Sequence, residues 1–188
     1  MTFGQSIKTC FRKYAVFKGR AMRSEYWWFE LFYILISIGL HFLTGLAMIP
    51  LILKGQFTAE AIYQTSLPLS IVSIVVSLAF LLPSLAVMTR RLHDVNKSGW
   101  WLFIYFLVAL IWTGLGALIL TISVNGSTLI DEVPFILVFG FSIMTIIVFA
   151  IAIVFLVWCL KRGTIGPNKY GPDPLADTYA GVVLTPES

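Results

Sequence analysis

The chain has 188 residues, of which 59% are hydrophobic and 15% aromatic, while only 12% carry a charge. A soluble domain of this length carries roughly 25% charged residues, so a water-soluble globule is excluded, as are a disordered chain and a disulfide-rich secreted scaffold. What remains is a single integral membrane domain over residues 1–188, built from α-helices because a lipid-exposed backbone must satisfy its own hydrogen bonds.

The first element precedes any membrane span. Phe3, Ile7, Cys10, Phe11, Tyr14 and Phe17 recur at helical spacing, while Lys8, Arg12, Lys13 and Arg20 fall largely on other faces. This predicts an amphipathic interfacial helix over 3–18. A mitochondrial presequence has a similar basic, acid-free character, but it rarely runs straight into a span by way of Trp27-Trp28. Gly19 is expected to break the helix, and Ser24 to cap the next one. The first long apolar run begins after residue 26 and is too long for a signal h-region, so no cleavable signal peptide is expected.

Four stretches then lack Asp, Glu, Lys and Arg: Leu31 to Leu53, Ala61 to Thr89, Ser98 to Ile130 and Val133 to Leu160, of 23, 29, 33 and 28 residues. A helix rises about 1.5 Å per residue and a bilayer core is about 30 Å thick, so each stretch crosses once. The expected spans are 27–50, 67–89, 100–124 and 134–159, followed by a Gly/Pro-rich tail over 161–188. Four strands would be too few to close a barrel. The fold class is therefore a four-transmembrane-helix bundle with an interfacial helix at its start.

Twelve of the thirteen Lys and Arg residues fall on one side of this arrangement and only Lys54 on the other. The positive-inside rule then places both termini and the middle loop in the cytoplasm. A pI of 9.2 accordingly needs no nucleic-acid partner, because the topology already accounts for the basic residues. Trp27-Trp28, Trp100-Trp101 and Trp158 form an aromatic belt at that same face. Cys10 and Cys159 suggest neither a disulfide nor a metal pair. Asn125-Gly126-Ser127 matches a glycosylation sequon, a pattern common by chance.

Within the first span, Glu30, Ser37, His41 and Thr44 share one helical face. Ser66, Ser70, Ser73, Ser77 and Ser84 do the same in the second, and Ala109, Thr113, Ala117 and Thr121 in the third. Such faces serve helix packing, with hydroxyls bonding across helices or back to a carbonyl. Glu30 and His41 are ionisable groups at membrane depth and so are functional candidates. Glu30 is expected to pair with Arg23, Arg90 or Arg91, and His41 to face Ser73 or Ser77. Pro83 lacks an N–H, which should expose the Ala79 carbonyl to a neighbouring hydroxyl, and Pro50 does the same near the far end of the first span.

Three segments carry more than topology requires. They run from Gly19 through Arg20, Arg23, Ser24 and Glu25 to Trp27; from Arg90-Arg91 through His93, Asp94, Asn96, Lys97, Ser98 and Gly99 to Trp100-Trp101; and from Gly163 through Gly166, Asn168 and Gly171 to Pro174. Asp94 and Asn96 favour a turn, and Ser98 can cap the third span. The last segment cannot be helical and must close over the bundle mouth as successive turns.

Read as GRxxRSEYW, RRLHDxxxSGWW and GxxGPNKYGPDP, these segments closely resemble the bacterial inner-membrane family catalogued as domain of unknown function 805, over about Phe3 to Pro174. The resemblance implies a small multi-span protein of the bacterial cytoplasmic membrane, with no catalytic residues to carry over. If the loops converge, Arg20, Arg23, Arg90, Arg91, His93 and Lys97 would make a site for an anion such as a lipid phosphate, unless Asp94 or Glu25 holds an arginine internally.

Three functions compete. One is a non-enzymatic module binding anionic lipid or a protein partner at the cytoplasmic rim. Another is a small transporter or channel lined by Glu30, His41 and the serine face, which would need a homo-oligomer. The third is a lipid enzyme using His93-Asp94, for which GxSxG, HExxH and Walker motifs are all missing. No metal or other cofactor is expected.

Overall fold

The computed structural model describes residues 1–55, 58–125 and 135–176, the backbone alone at 59, 120, 122–125 and 135–138. The Asn125-Gly126-Ser127 sequon and the end of the tail from 177 onward extend outside the described residues. Five helices follow in order: α1 (Phe3–Arg12), α2 (Arg23–Lys54), α3 (Ala59–Asp94), α4 (Trp100–Asn125) and α5 (Phe135–Leu160). Four of them, α2 to α5, are long and apolar enough to cross a membrane. The chain is thus an all-α membrane bundle.

The packing pairs α2 with α3 and α4 with α5, while α1 lies against α2 and α3. The first helix is shorter than its amphipathic pattern implied and ends at Arg12, with a capping box between Thr2 and Gln5 at its start. Its apolar face does not simply rest on lipid. Phe11 packs edge-on against both Phe29 and Phe80, at 5.6 and 5.5 Å. Phe80 also stacks on Phe29 and Tyr33, so an aromatic cluster fastens α1 to the first hairpin. Each such ring pair contributes about 0.5–1.5 kcal/mol beyond its buried area.

Beyond α1, the Tyr14 hydroxyl donates to the Ala79 carbonyl at 2.8 Å. This is the carbonyl that Pro83 leaves without its helical donor. The helix after Gly19 starts one residue before Ser24. Met22 occupies the cap position with no side-chain hydrogen bond, and Ser24 instead offers its carbonyl to the Ser6 hydroxyl at 3.2 Å.

The second hairpin closes through aromatic residues. Trp101 meets Trp158 edge-on at 5.6 Å, Tyr105 meets Phe155, and Trp112 stacks on Phe141. A Cβ at Gly116 would come within 3.0 Å of Phe141. The α4 seam therefore runs through Tyr105, Trp112 and Gly116, a face that includes the half-buried Ala109, while Thr113, Ala117 and Thr121 are exposed. Thr113 and Thr121 return their hydroxyls to carbonyls of their own helix.

α3 has 36 residues. At about 1.5 Å per residue it is longer than a bilayer core is thick, so its final turns project beyond the apolar span. Those turns carry Arg90, Arg91, His93 and Asp94, and the three motif segments meet around them.

Candidate functional site at the charged rim

The centre of the rim is Asp94, the last residue of α3. Its Oδ1 accepts from Arg20 Nε at 2.9 Å, and its Oδ2 accepts from Arg91 Nη1. One carboxylate thus joins the segment before α2 to α3 itself. Arg20 continues outward, donating from Nη1 to the Gly166 carbonyl at 2.6 Å and from Nη2 to the Thr164 carbonyl. Arg91 donates from Nε to the Cys159 carbonyl at 3.2 Å and from Nη2 to the Lys161 carbonyl. The last turn of α5 leaves its carbonyls without helical donors, so a cation is favourable there.

Arg90 points the other way. Its Nη1 donates to Glu25 Oε1 at 2.5 Å, its Nε to the Ala86 carbonyl, and its Nη2 is buried with no hydrogen-bond partner among the described residues. Its own carbonyl accepts from Ala21 N at 3.0 Å. Arg90 and Arg91 are 1% and 0% exposed, and Arg20 is buried as well. The sequence treated these three as anion-binding candidates. Their guanidinium groups instead close the bundle end from inside, because each has a carboxylate or helix-end carbonyls within reach.

The tail segment docks on the same point. Thr164 donates both its N–H and its hydroxyl to the Asp94 carbonyl, at 2.9 and 3.1 Å. Asn168 donates to the His93 carbonyl at 3.0 Å and to Thr164 Oγ1 at 2.9 Å. Asn168 and Gly171 also exchange backbone hydrogen bonds across a tight turn. Gly166 and Gly171 have φ of 79° and 139°, backbone conformations that suit glycine. Gly163 is required for another reason: a Cβ there would lie 2.1 Å from Asp94 Oδ2.

His93 donates from Nδ1 to the Gly19 carbonyl at 3.1 Å and stacks on Tyr170 with ring centroids 3.8 Å apart. It shares no hydrogen bond with Asp94 among the described residues. Asn96 takes a left-handed φ of 59° in the turn that Asp94 and Asn96 foreshadowed. Lys97 lies over the Trp158 ring at 5.3 Å. Ser98 Oγ accepts from Trp100 N at 3.3 Å, as expected of a cap. Gly99 sits against Thr89, where a Cβ would come within 2.8 Å of the methyl group. Trp100 is largely exposed, and Trp101 is partly exposed while meeting Trp158.

Asp173 accepts from the N–H groups of Leu175 and Gly166, each at 2.9 Å. Those two bonds, with the charges of Arg20 and Arg162, hold its carboxyl below the ordinary aspartate value. Thr164 and Asp173 were not singled out as site residues from sequence. Their signal was present only as polar residues inside a Gly/Pro segment, where a turn alone explains them.

A cavity of about 340 Å³ opens at the rim, with Arg23, Arg162, Asp173 and the first residues of α2 on its walls. Arg23 is exposed and donates from Nε to the Lys161 carbonyl at 2.9 Å. The two intramembrane candidates are placed apart from the rim. His41 is exposed on α2 and donates from Nδ1 to the Ser37 carbonyl at 2.7 Å, rather than facing Ser73 or Ser77. Ser70 and Ser73 likewise return their hydroxyls to their own helix. Glu30 pairs with none of Arg23, Arg90 or Arg91, all three being engaged elsewhere.

Four apolar spanning helices gathered at one charged end define a multi-pass integral membrane protein. The chain belongs to the family described as Protein of unknown function (DUF805), whose model matches residues 14–172. It is 33% identical to Inner membrane protein YhaI of Escherichia coli (strain K12) over 163 residues, covering 87% of this chain and 89% of that one. It is 28% identical to Inner membrane protein YhaH of the same strain, covering 87% and 90%. No solved structure matches it.

Proposed function

We propose that this inner-membrane protein is a non-enzymatic module that holds an anionic lipid headgroup at its rim. The rim faces the cytoplasm in this reading, in keeping with the twelve-to-one distribution of Lys and Arg. The observation that carries the proposal is the cavity beside the start of α2. That helix begins with no capping side chain, and Met22, Arg23 and Ser24 at its start line the cavity, which places the positive end of the helix dipole beside it. Arg23 and Arg162 line the same opening, and a guanidinium matches a phosphate in charge and geometry.

The two carboxylates on the wall are already engaged within the protein. Asp94 lies between Arg20 and Arg91, and Asp173 is occupied by backbone N–H groups. Arg20 and Arg90 are positioning residues in this reading, and Arg91, on the cavity wall, is committed to Asp94 and to the carbonyls at the end of α5. Native mass spectrometry of gently purified protein tests it. Arg23→Ala with Arg162→Ala should reduce retained phosphatidylglycerol or cardiolipin about tenfold, the loss of roughly one charge-assisted contact. Equal retention in the wild type and the double variant would overturn the proposal.

A further inference from the structure

A second cavity, of about 350 Å³, lies deeper in the bundle where α2 faces the α4–α5 hairpin. Glu30 stands on its wall with Tyr26, Trp27, Tyr105 and Phe155. The carboxyl makes no hydrogen bond or ion pair among the described residues, although three arginines lie within two turns of it along the sequence or at the end of α3. Glu25 and Asp94 engage Arg90 and Arg91, so internal pairing passes over Glu30, which lies further along α2. A carboxylate at this depth is costly unless something meets it.

The surroundings say what would meet it. Four aromatic side chains and an acid line one space, and both aromatic rings and a carboxylate are groups that attract a cation. The rest of the wall, including Ile34 and Leu156, is apolar apart from the Cys159 thiol. Glu30 lies one turn from Trp27, close to the headgroup layer, so a ligand can place a charged head at Glu30 and leave an apolar chain among the helices. The volume falls in the range of small-ligand sites.

We propose that this cavity binds the ammonium group of an amphiphile, with Glu30 as its counter-ion and the aromatic side chains as its walls. The same chemistry is carried by an aminophospholipid headgroup and by a free lipophilic amine, and the two are separable by experiment. The site is independent of the rim cavity and of the anion reading given above.

The test uses the full chain in nanodiscs. Radiolabelled decyltrimethylammonium, a permanent cation, is titrated against wild type, Glu30→Gln and Glu30→Asp, with decanol as a neutral competitor. The expected result is a saturable component in the wild type, weakened at least tenfold in Glu30→Gln, retained in Glu30→Asp and not displaced by decanol. Unfolding midpoints of the three proteins report whether the fold is intact. A wild type with no saturable component, or equal affinity in a folded Glu30→Gln, overturns the proposal. Native mass spectrometry from phosphatidylethanolamine and phosphatidylglycerol nanodiscs then assigns the source. Phosphatidylethanolamine retained by the wild type and lost in Glu30→Gln identifies the headgroup; retention unaffected by the variant, with decyltrimethylammonium binding still dependent on Glu30, identifies a free amine.

Discussion

Arg20 Nε donates to Asp94 Oδ1 at 2.9 Å across 74 residues of sequence, and the other oxygen of the same carboxylate is held by Arg91. Asp94 thereby binds the segment entering α2, the end of α3 and, through its backbone carbonyl, the tail. Removing one partner of a buried charge network leaves the others uncompensated, at a cost of about 3–5 kcal/mol. Asp94→Asn should therefore lower the stability of the bundle by about that amount in a denaturant titration of the detergent-solubilised protein. Asp94→Glu should not restore it, because the backbone at Gly163 already lies against the carboxyl.

Gly163→Ala should release the tail segment without unfolding the spans. Its Cβ would collide with Asp94, whereas the same change at Gly114 meets nothing within 4 Å. Limited proteolysis should then cut between residues 163 and 174 in Gly163→Ala, and leave Gly114→Ala as resistant as the wild type.

The Tyr14 to Ala79 hydrogen bond replaces a helical bond that Pro83 cannot make. Tyr14→Phe should cost about 0.5–1.5 kcal/mol. In a Pro83→Ala background the new N–H satisfies Ala79, so Tyr14→Phe should cost much less there. A double-mutant cycle on unfolding free energy reads this coupling directly; strictly additive losses would count against it.

Acid should loosen the tail through Asp173. Its folded carboxyl titrates below the ordinary value of 3.8, chiefly because the Leu175 N–H, and then the Gly166 N–H, donate to the ionised form. The stabilisation is complete above that ordinary value and disappears as pH falls through the lower folded one. Hydrogen exchange at Gly166 and Leu175 should rise over that acid window in the wild type. In Asp173→Asn both amides should already exchange faster at neutral pH, with a smaller acid-dependent change.

Cys10 should resist alkylation in the folded protein. It lies wholly buried on α1, and burial, with the nearby Glu25 carboxylate, pushes its thiol up to about 12. The reactive thiolate is then scarce at neutral pH. Maleimide labelling that appears only on unfolding agrees with this placement, and rapid labelling of native protein does not.

Composition and charge spacing alone determined the membrane class, the four spanning helices and the gathering of three motifs at one end. Those properties follow from matching segment length to bilayer thickness, which requires only the order of residues along the chain. The sequence also exposed the free Ala79 carbonyl, through Pro83, and left a turn at Asn96 in plain view. It could not separate Arg23 from Arg20, Arg90 and Arg91, since four arginines near span ends look alike in one dimension. Tertiary structure separated them, because Asp94, Glu25 and the carbonyls of Cys159, Lys161, Thr164 and Gly166 come within hydrogen-bond reach only when distant segments pack together. The same packing left Glu30 facing a cavity instead of an arginine. Pairing of buried charges depends on contacts far apart in sequence, and that is where the linear reading ended.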